Sequence, residues 1–214
     1  MSTSRHQKLT NRKRRIERRL RPRAWTAQPA PMYTASNIRY ELSDRARGLD
    51  TGGIGAMHAL AQQTGLVDAI DQHVHVLKRH LPYHESDHVL GLAYNVLCGG
   101  TCLQDSEHRR ENEVYLDALG AQRIPDPTTA GDFCRRFDEP AIEALQTAIN
   151  ETRIRVWQTQ PDAFFEEAVI DADGTLAETT GACKAGMDIA YDGTWGYHPL
   201  VVSLANTGEP LYLV

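Results

Sequence analysis

The sequence predicts an α+β protein, helical through most of its length and built of short strands after that. Three observations lead there. Apolar residues recur at helical spacing from Gly52 to Gln160, in six or seven stretches separated by Gly and Pro. From Phe164 the pattern turns to short apolar runs of strand length. One of them, Ala168-Val169-Ile170-Asp171-Ala172-Asp173-Gly174-Thr175, carries two carboxylates two residues apart and runs into a Gly-Thr turn.

The chain has 214 residues, enough for one large or two small domains, and is 41% hydrophobic, enough to bury a core. Its net charge of −5 hides an asymmetry. Residues 1–24 hold ten Lys/Arg against one acid, Glu17, whereas from Trp25 onward thirteen bases face twenty-seven acids. A basic arm on an acidic body argues for a polyanionic partner reached by the arm. Arg12, Lys13, Arg14, Arg15, Arg18 and Arg19 are its densest part and the candidate DNA contacts. Arg and Lys at this close spacing predict an arm that forms a basic helix on contact with DNA or RNA and is disordered otherwise. The plainer reading is a solubilising tail. No apolar run suits a membrane span or a signal peptide. Cys98, Cys102, Cys134 and Cys183 lack a disulfide-framework pattern, which fits free thiols in a cytoplasmic chain.

Residues 25–51, with Pro29 and Pro31, read as a linker with a short strand at Ile38–Leu42. The helical region, 52–160, begins after Gly52-Gly53. Ile54, Met57, Leu60 and Ala61 mark its first inward face, and Thr64-Gly65 ends that helix. Leu66 to Leu77 gives a second short helix. Pro82 breaks the chain, and Ser86 is the expected N-cap of a helix carrying Val89, Leu90, Leu92, Ala93, Val96 and Leu97 up to Gly99-Gly100. Thr101 caps the next, through Leu103 to Arg110, and Val114–Leu119 closes at Gly120. After Pro125-Asp126-Pro127, Thr128 or Thr129 caps a helix bearing Ala130, Phe133, Cys134 and Phe137. A long helix over 139–158 points Ile142, Leu145, Ile149, Ile154 and Trp157 inward and stops before Pro161. Residues 161–214 then form a β-meander: Ala168–Asp173, a weaker Met187–Tyr191, His198–Leu204 and Leu211–Val214. Asn206-Thr207-Gly208-Glu209-Pro210 makes a hairpin turn between the last two.

Several strings bear on chemistry. His84-Glu85-Ser86-Asp87-His88 matches the H-E-x-x-H of zinc proteases, but Pro82 and the cap at Ser86 place His84 before the helix, so both His cannot share its face. Cys98 and Cys102 added to it make a conceivable structural zinc site, but the three-residue gap between them and the lack of a second pair argue against it. Ordinary helix-start polar residues are the better reading. Thr128 to Phe137 has a capped start and a basic end, Arg135-Arg136, that suits a helix laid on DNA; solvated arginines on a packed helix are the plainer alternative.

Asp171 and Asp173 alternate onto one face of a strand, where mutual repulsion asks for a cation, a proton or full solvation. A solvated turn after an edge strand is the plain alternative. Two sharper ones fit the Asp-x-Asp-Gly-Thr string. In haloacid-dehalogenase-like phosphatases, Asp171 would be the nucleophile and Asp173 the general acid/base around magnesium. In RNase H-like nucleases and DDE transposases, the first catalytic Asp stands on the first strand of an antiparallel meander and helps hold two metal ions. The meander after Thr175 favours the second.

Four strings in order add a resemblance: Leu81-Pro82-Tyr83-His84-Glu85-Ser86-Asp87-His88-Val89-Leu90, Leu97-Cys98-Gly99-Gly100-Thr101-Cys102-Leu103, Ile124-Pro125-Asp126-Pro127-Thr128-Thr129-Ala130-Gly131-Asp132-Phe133, and Trp195 to Pro210. Together they resemble bacterial insertion-sequence transposases of the DDE type, in the insertion-sequence family numbered thirteen-eighty, over roughly Leu42 to Val214. The resemblance implies cut-and-paste transposition of an insertion sequence. A helical region would bind the terminal inverted repeats of the element's DNA. An RNase H-like catalytic domain would cleave with Mg2+ (or Mn2+). It implies no membrane, leaves room for a homodimer, and places the protein in the bacterial cytoplasm at the nucleoid. Asp173, directly before a small residue and Thr, is the implied first catalytic and metal-binding Asp, with Asp171 in reserve. The second Asp and the Glu are expected beyond Val214. The expectation is therefore an N-terminal fragment with only the first strands of that domain, truncated, inactive alone but able to bind DNA.

Overall fold

The computed structural model describes residues 2–21, 26–35, 51–180 and 186–214. The strand expected at Ile38–Leu42, and Cys183, lie outside them. The chain divides into two compact units, Met1–Arg153 and Ile154–Val214. The sequence alone places the corresponding boundary at 160/161.

The first unit is helical. Its arm, expected to be disordered, is instead a helix, α1 (Ser2–Leu20). The reason is a set of acidic partners: Arg15 Nε lies 2.9 Å from Glu113, and Arg15 and Arg19 reach the same Asp117 oxygen at 2.8 and 2.7 Å. Helices α2 (Ile54–Gln63) and α3 (Leu66–His73) are joined at Gly65, whose φ of +76° only glycine adopts freely. Then come α4 (Glu85–Leu97), a 3-10 turn at Leu103–Asp105, α5 (Ser106–Glu111), α6 (Glu113–Ala118), α7 (Pro127–Cys134) and α8 (Glu139–Trp157).

The core gathers Ile54, Val67, Ile70, Val74, Leu90, Tyr94, Tyr115, Leu116, Leu119 and Ile124, with Tyr33 from the segment before α2. Helix faces turn differently from the expected stripes. On α2, His58 is fully buried and bonds Tyr94 Oη at 2.9 Å through Nδ1, while Met57 and Leu60 are exposed. On α4, Leu90, Tyr94 and Asn95 are inside and Val96 and Leu97 outside. On α8, Ala148 and Thr152 are buried, whereas Ile142, Ile149 and Ile154 are exposed. Small residues take the close helix contacts because they let backbones approach.

Two caps also move. The N-cap of α4 is His84, with Ser86 inside the helix; the Asp87 carboxylate reaches back to accept from the His84 N–H at 2.9 Å. The N-cap of α7 is Asp126, which accepts from the N–H of Thr129 at 2.9 Å and from its hydroxyl at 2.8 Å, with Pro127 in the first turn.

The α4 start is a buried polar knot. Asp87, fully buried, also accepts from the N–H groups of Met32 at 2.8 Å and Tyr33 at 3.0 Å. Glu85 accepts from the N–H of Leu77 and bonds His80 Nε2, each at 3.0 Å. Asp71 accepts from the N–H and hydroxyl of Ser86 at 2.9 and 3.0 Å. His84 donates from Nε2 to the Gln28 carbonyl at 2.9 Å and stacks on His80 with ring centres 3.8 Å apart. Buried carboxylates persist where each oxygen has donors.

The second unit holds, beside the last turn of α8, two three-stranded antiparallel sheets rather than one meander. The first has the order β1 (Ile170–Gly174), β5 (Leu200–Leu204), β6 (Glu209–Leu213). The second has β4 (Trp195–Tyr197) between β2 (Ala177–Glu178) and β3 (Asp188–Ile189). Gly196 permits the second sheet, because a Cβ there would stand 2.5 Å from the Ala177 carbonyl oxygen. The β5–β6 hairpin turns through Asn206 to Gly208 as expected, with Gly208 at φ +70° and its N–H on the Leu204 carbonyl at 2.8 Å. Pro210, which lacks a donor, sits on the edge strand β6 beside an irregularity at Val202/Ser203.

Candidate functional site: an acidic pair and a cationic cleft

The acidic pair stands on β1. Asp171 lies opposite Ser203 and Asp173 opposite Val201, so the strand alternation puts both carboxylates on one face. The approach to the strand is fixed from the hairpin. Asn206 accepts from the Val169 N–H at 2.8 Å and donates to the Glu167 carbonyl at 3.3 Å, and the Ala205 N–H bonds the Val169 carbonyl at 2.8 Å. At the far end the Thr175 N–H bonds the Pro199 carbonyl at 2.9 Å. Every β1 residue is exposed, and neither the Asp171 nor the Asp173 carboxylate has a hydrogen bond or ion pair among the described residues.

Free carboxylate oxygens are the hard donors that Mg2+ or Mn2+ takes, so the pair fits such an ion as far as two side chains can. Among the described residues no group of three or more His, Cys, Asp or Glu is placed to hold a metal. The His84–His88 string is no metal site either: His84, Glu85 and Asp87 are spent in the polar knot, and His88 packs face to face on Phe133 with ring centres 4.3 Å apart. Cys98, Cys102 and Cys134 are free thiols.

The candidate DNA contacts separate by environment. Arg15 and Arg19 are tied to Glu113 and Asp117, and Arg135 pairs with Asp132 at 2.8 Å. Lys13 has only a loose 3.9 Å contact to Glu17. Arg12, Arg14, Arg18 and Arg136 have no ion pair among the described residues. Arg136 meets cations from a distant part of the chain. With Lys78 and Arg79, which the sequence reading passed over, it lines a cleft of about 560 Å3 beside Tyr83, His88 and Phe133. The adjacent pair Lys78-Arg79 was the available signal, but nothing local ties it to a residue so far along the chain. Burial lowers His88 to about 4, so it is neutral there. It is 4% exposed, and its Nδ1 has no partner.

Residues 48–214 match the family model described as transposase DDE domain, group 1. The chain belongs to that family. No curated protein and no solved structure significantly matches it. Membership of the DDE transposase family supports transposition as the general function and implies DNA as the partner. Both the acidic pair and the cleft lie inside the matched residues. The phosphatase reading of the Asp-x-Asp-Gly-Thr string finds no support in this match. Among the described residues of this DDE domain, no helix is long and apolar enough to cross a membrane.

Proposed function

We propose that the chain is a DDE transposase of the thirteen-eighty insertion-sequence branch, nucleoid-associated in a bacterial cytoplasm. Its helical unit engages the terminal inverted repeats of its element, and its strand unit carries the start of an RNase H-like active site. What carries the reading is the pair of unpartnered carboxylates on β1 inside a family match that spans residues 48–214. Asp173 is the proposed first catalytic ligand and Asp171 its reserve. A divalent ion held there, Mg2+ or Mn2+, would supply Lewis acidity and orient the attacking and leaving oxygens of a phosphodiester. The part of the chain itself is to hold the two carboxylates on one face through the β1–β5 ladder and the Asn206 clamp. Two carboxylates leave an ion mostly hydrated, so DNA binding is the activity assigned to these residues unaided. On the arm, Arg12, Lys13, Arg14 and Arg18 are the proposed phosphate contacts.

Two measurements test this. Water-proton relaxation with Mn2+ should show weak binding to the wild type that Asp173→Asn abolishes and Asp171→Asn reduces; unchanged binding in Asp173→Asn overturns the assignment. A mobility-shift assay should show tighter binding to terminal-repeat duplex than to random duplex, falling steeply with salt. Equal affinity for both removes the sequence-specific part.

A further inference from the structure

We infer that the cleft lined by Lys78, Arg79 and Arg136 is a seat for the phosphodiester backbone of DNA, separate from the basic arm and resting on the reading that DNA is the partner. The cleft draws its charges from two distant segments. Lys78 and Arg79 precede α4, and Arg136 follows α7, yet all three line the same space. All three are exposed, and none of their side chains has a hydrogen bond or ion pair among the described residues. Asp132, the only carboxylate among the described residues that line the cleft, is already paired with Arg135. A net positive cleft of this kind on a body that is otherwise strongly acidic focuses the field on an incoming anion.

The floor is suited to a backbone rather than to a base. Tyr83, His88 and Phe133 are all buried, and His88 and Phe133 stack on each other, which leaves little aromatic surface in the cleft for stacking. His88 stays neutral and so does not compete for phosphate as a cation, while its buried Nδ1 remains unpartnered. Thr129 lines the cleft, but its hydroxyl is spent on Asp126. Recognition therefore falls to the three long cationic side chains, which read charge and not sequence.

The test is the salt dependence of duplex binding by the full chain. Each phosphate contact contributes about 0.9 to the slope of log K against log salt. Replacing all three by Ala (K78A/R79A/R136A) should flatten the slope by about 2.7, so that the loss of affinity between 50 and 200 mM salt shrinks by about 40-fold. Arg110→Ala, paired with Glu107 and outside the cleft, should leave the slope unchanged. A wild type that binds no DNA overturns the DNA reading itself. A wild type that binds while the triple variant keeps its affinity and slope overturns the cleft alone. Titrations with inorganic phosphate and with oligoglutamate identify other occupants: saturable binding of either, lost in the triple variant while the DNA slope stays fixed, also overturns the proposal. The three side chains are solvent-facing, so an unchanged melting curve certifies that the variant is folded.

Discussion

The guanidinium of Arg19 lies 2.7 Å from the carboxylate of Asp117, joining the basic arm to α6 across the whole first half of the helical unit. Arg15 shares the same oxygen at 2.8 Å. The acid that folds α1 thus takes two cations away from any polyanion.

Asp117→Asn should free Arg19, while Arg15 stays on Glu113. Duplex affinity rises, and the salt slope steepens by up to about 0.9, one contact. Stability changes by less than about 1 kcal/mol because the pairs are partly solvated. Anisotropy titrations at several salt concentrations measure the slope; a slope equal to that of the wild type would show that the arm binds without Arg19.

Asp87 holds three backbone N–H groups, those of Met32, Tyr33 and His84. Burial pushes its carboxyl up to about 6, against the pull of those donors. Asp87→Ala leaves all three donors without an acceptor and should cost at least about 3 kcal/mol in urea denaturation. Asp87→Asn retains acceptor oxygen and should cost clearly less. Equal losses would mean that volume, not hydrogen bonding, sets the penalty.

Acid sensitivity should trace to His88. The unfolded chain protonates this side chain near pH 6.5 and the folded chain only near pH 4. Between those values the unfolded state binds the extra proton, so falling pH strips up to about 3 kcal/mol of stability that is fully present above pH 6.5. Asp87 acts in the opposite sense, because its folded carboxyl takes a proton below about 6 and its unfolded one only near 4. Relative to wild type, His88→Phe should therefore gain stability as the pH falls from 7 to 4. Parallel stability–pH curves for the two proteins would refute the assignment.

Gly196 is required by contact and not by φ. A Cβ at this position meets the Ala177 carbonyl at 2.5 Å and Glu178 Cα at 3.1 Å. Gly196→Ala should prise β2 from β4 at a cost of about 1–3 kcal/mol. Hydrogen exchange reads it locally: the Thr179 N–H on the Trp195 carbonyl should lose protection, while amides of α2, α3 and α6 keep theirs.

Where helices stop was legible at Gly65, Gly99 and Gly120, which all hold positive φ at the predicted ends, but not for α3, which stops at His73 with Val74 extended rather than running to Leu77. Which way they face was not. Ile142, Ile149 and Ile154 form a good stripe on α8, yet Ala148 and Thr152 go inside, since the neighbouring helix and not the periodicity chooses the buried side. Caps misled for a related reason: Asp126 and His84 compete with Thr128 and Ser86 for the same role, and a shift of two residues decides. The acidic pair could be read from strand alternation alone. The cleft could not, because Lys78-Arg79 and Arg136 meet only through the packing of α4 against α7.

The place of β1 at the margin of its sheet has a colloidal consequence. Its outer hydrogen-bonding groups form a template on which the same strand of another molecule can add, and negative charge at Asp171 and Asp173 is the usual deterrent. The carboxylates proposed for catalysis thereby also keep molecules apart. Whatever cancels their charge, a bound cation or Asp171→Asn with Asp173→Asn, should lower solubility, and light scattering should rise with Mg2+ in the wild type but start high and stay unresponsive in the double variant.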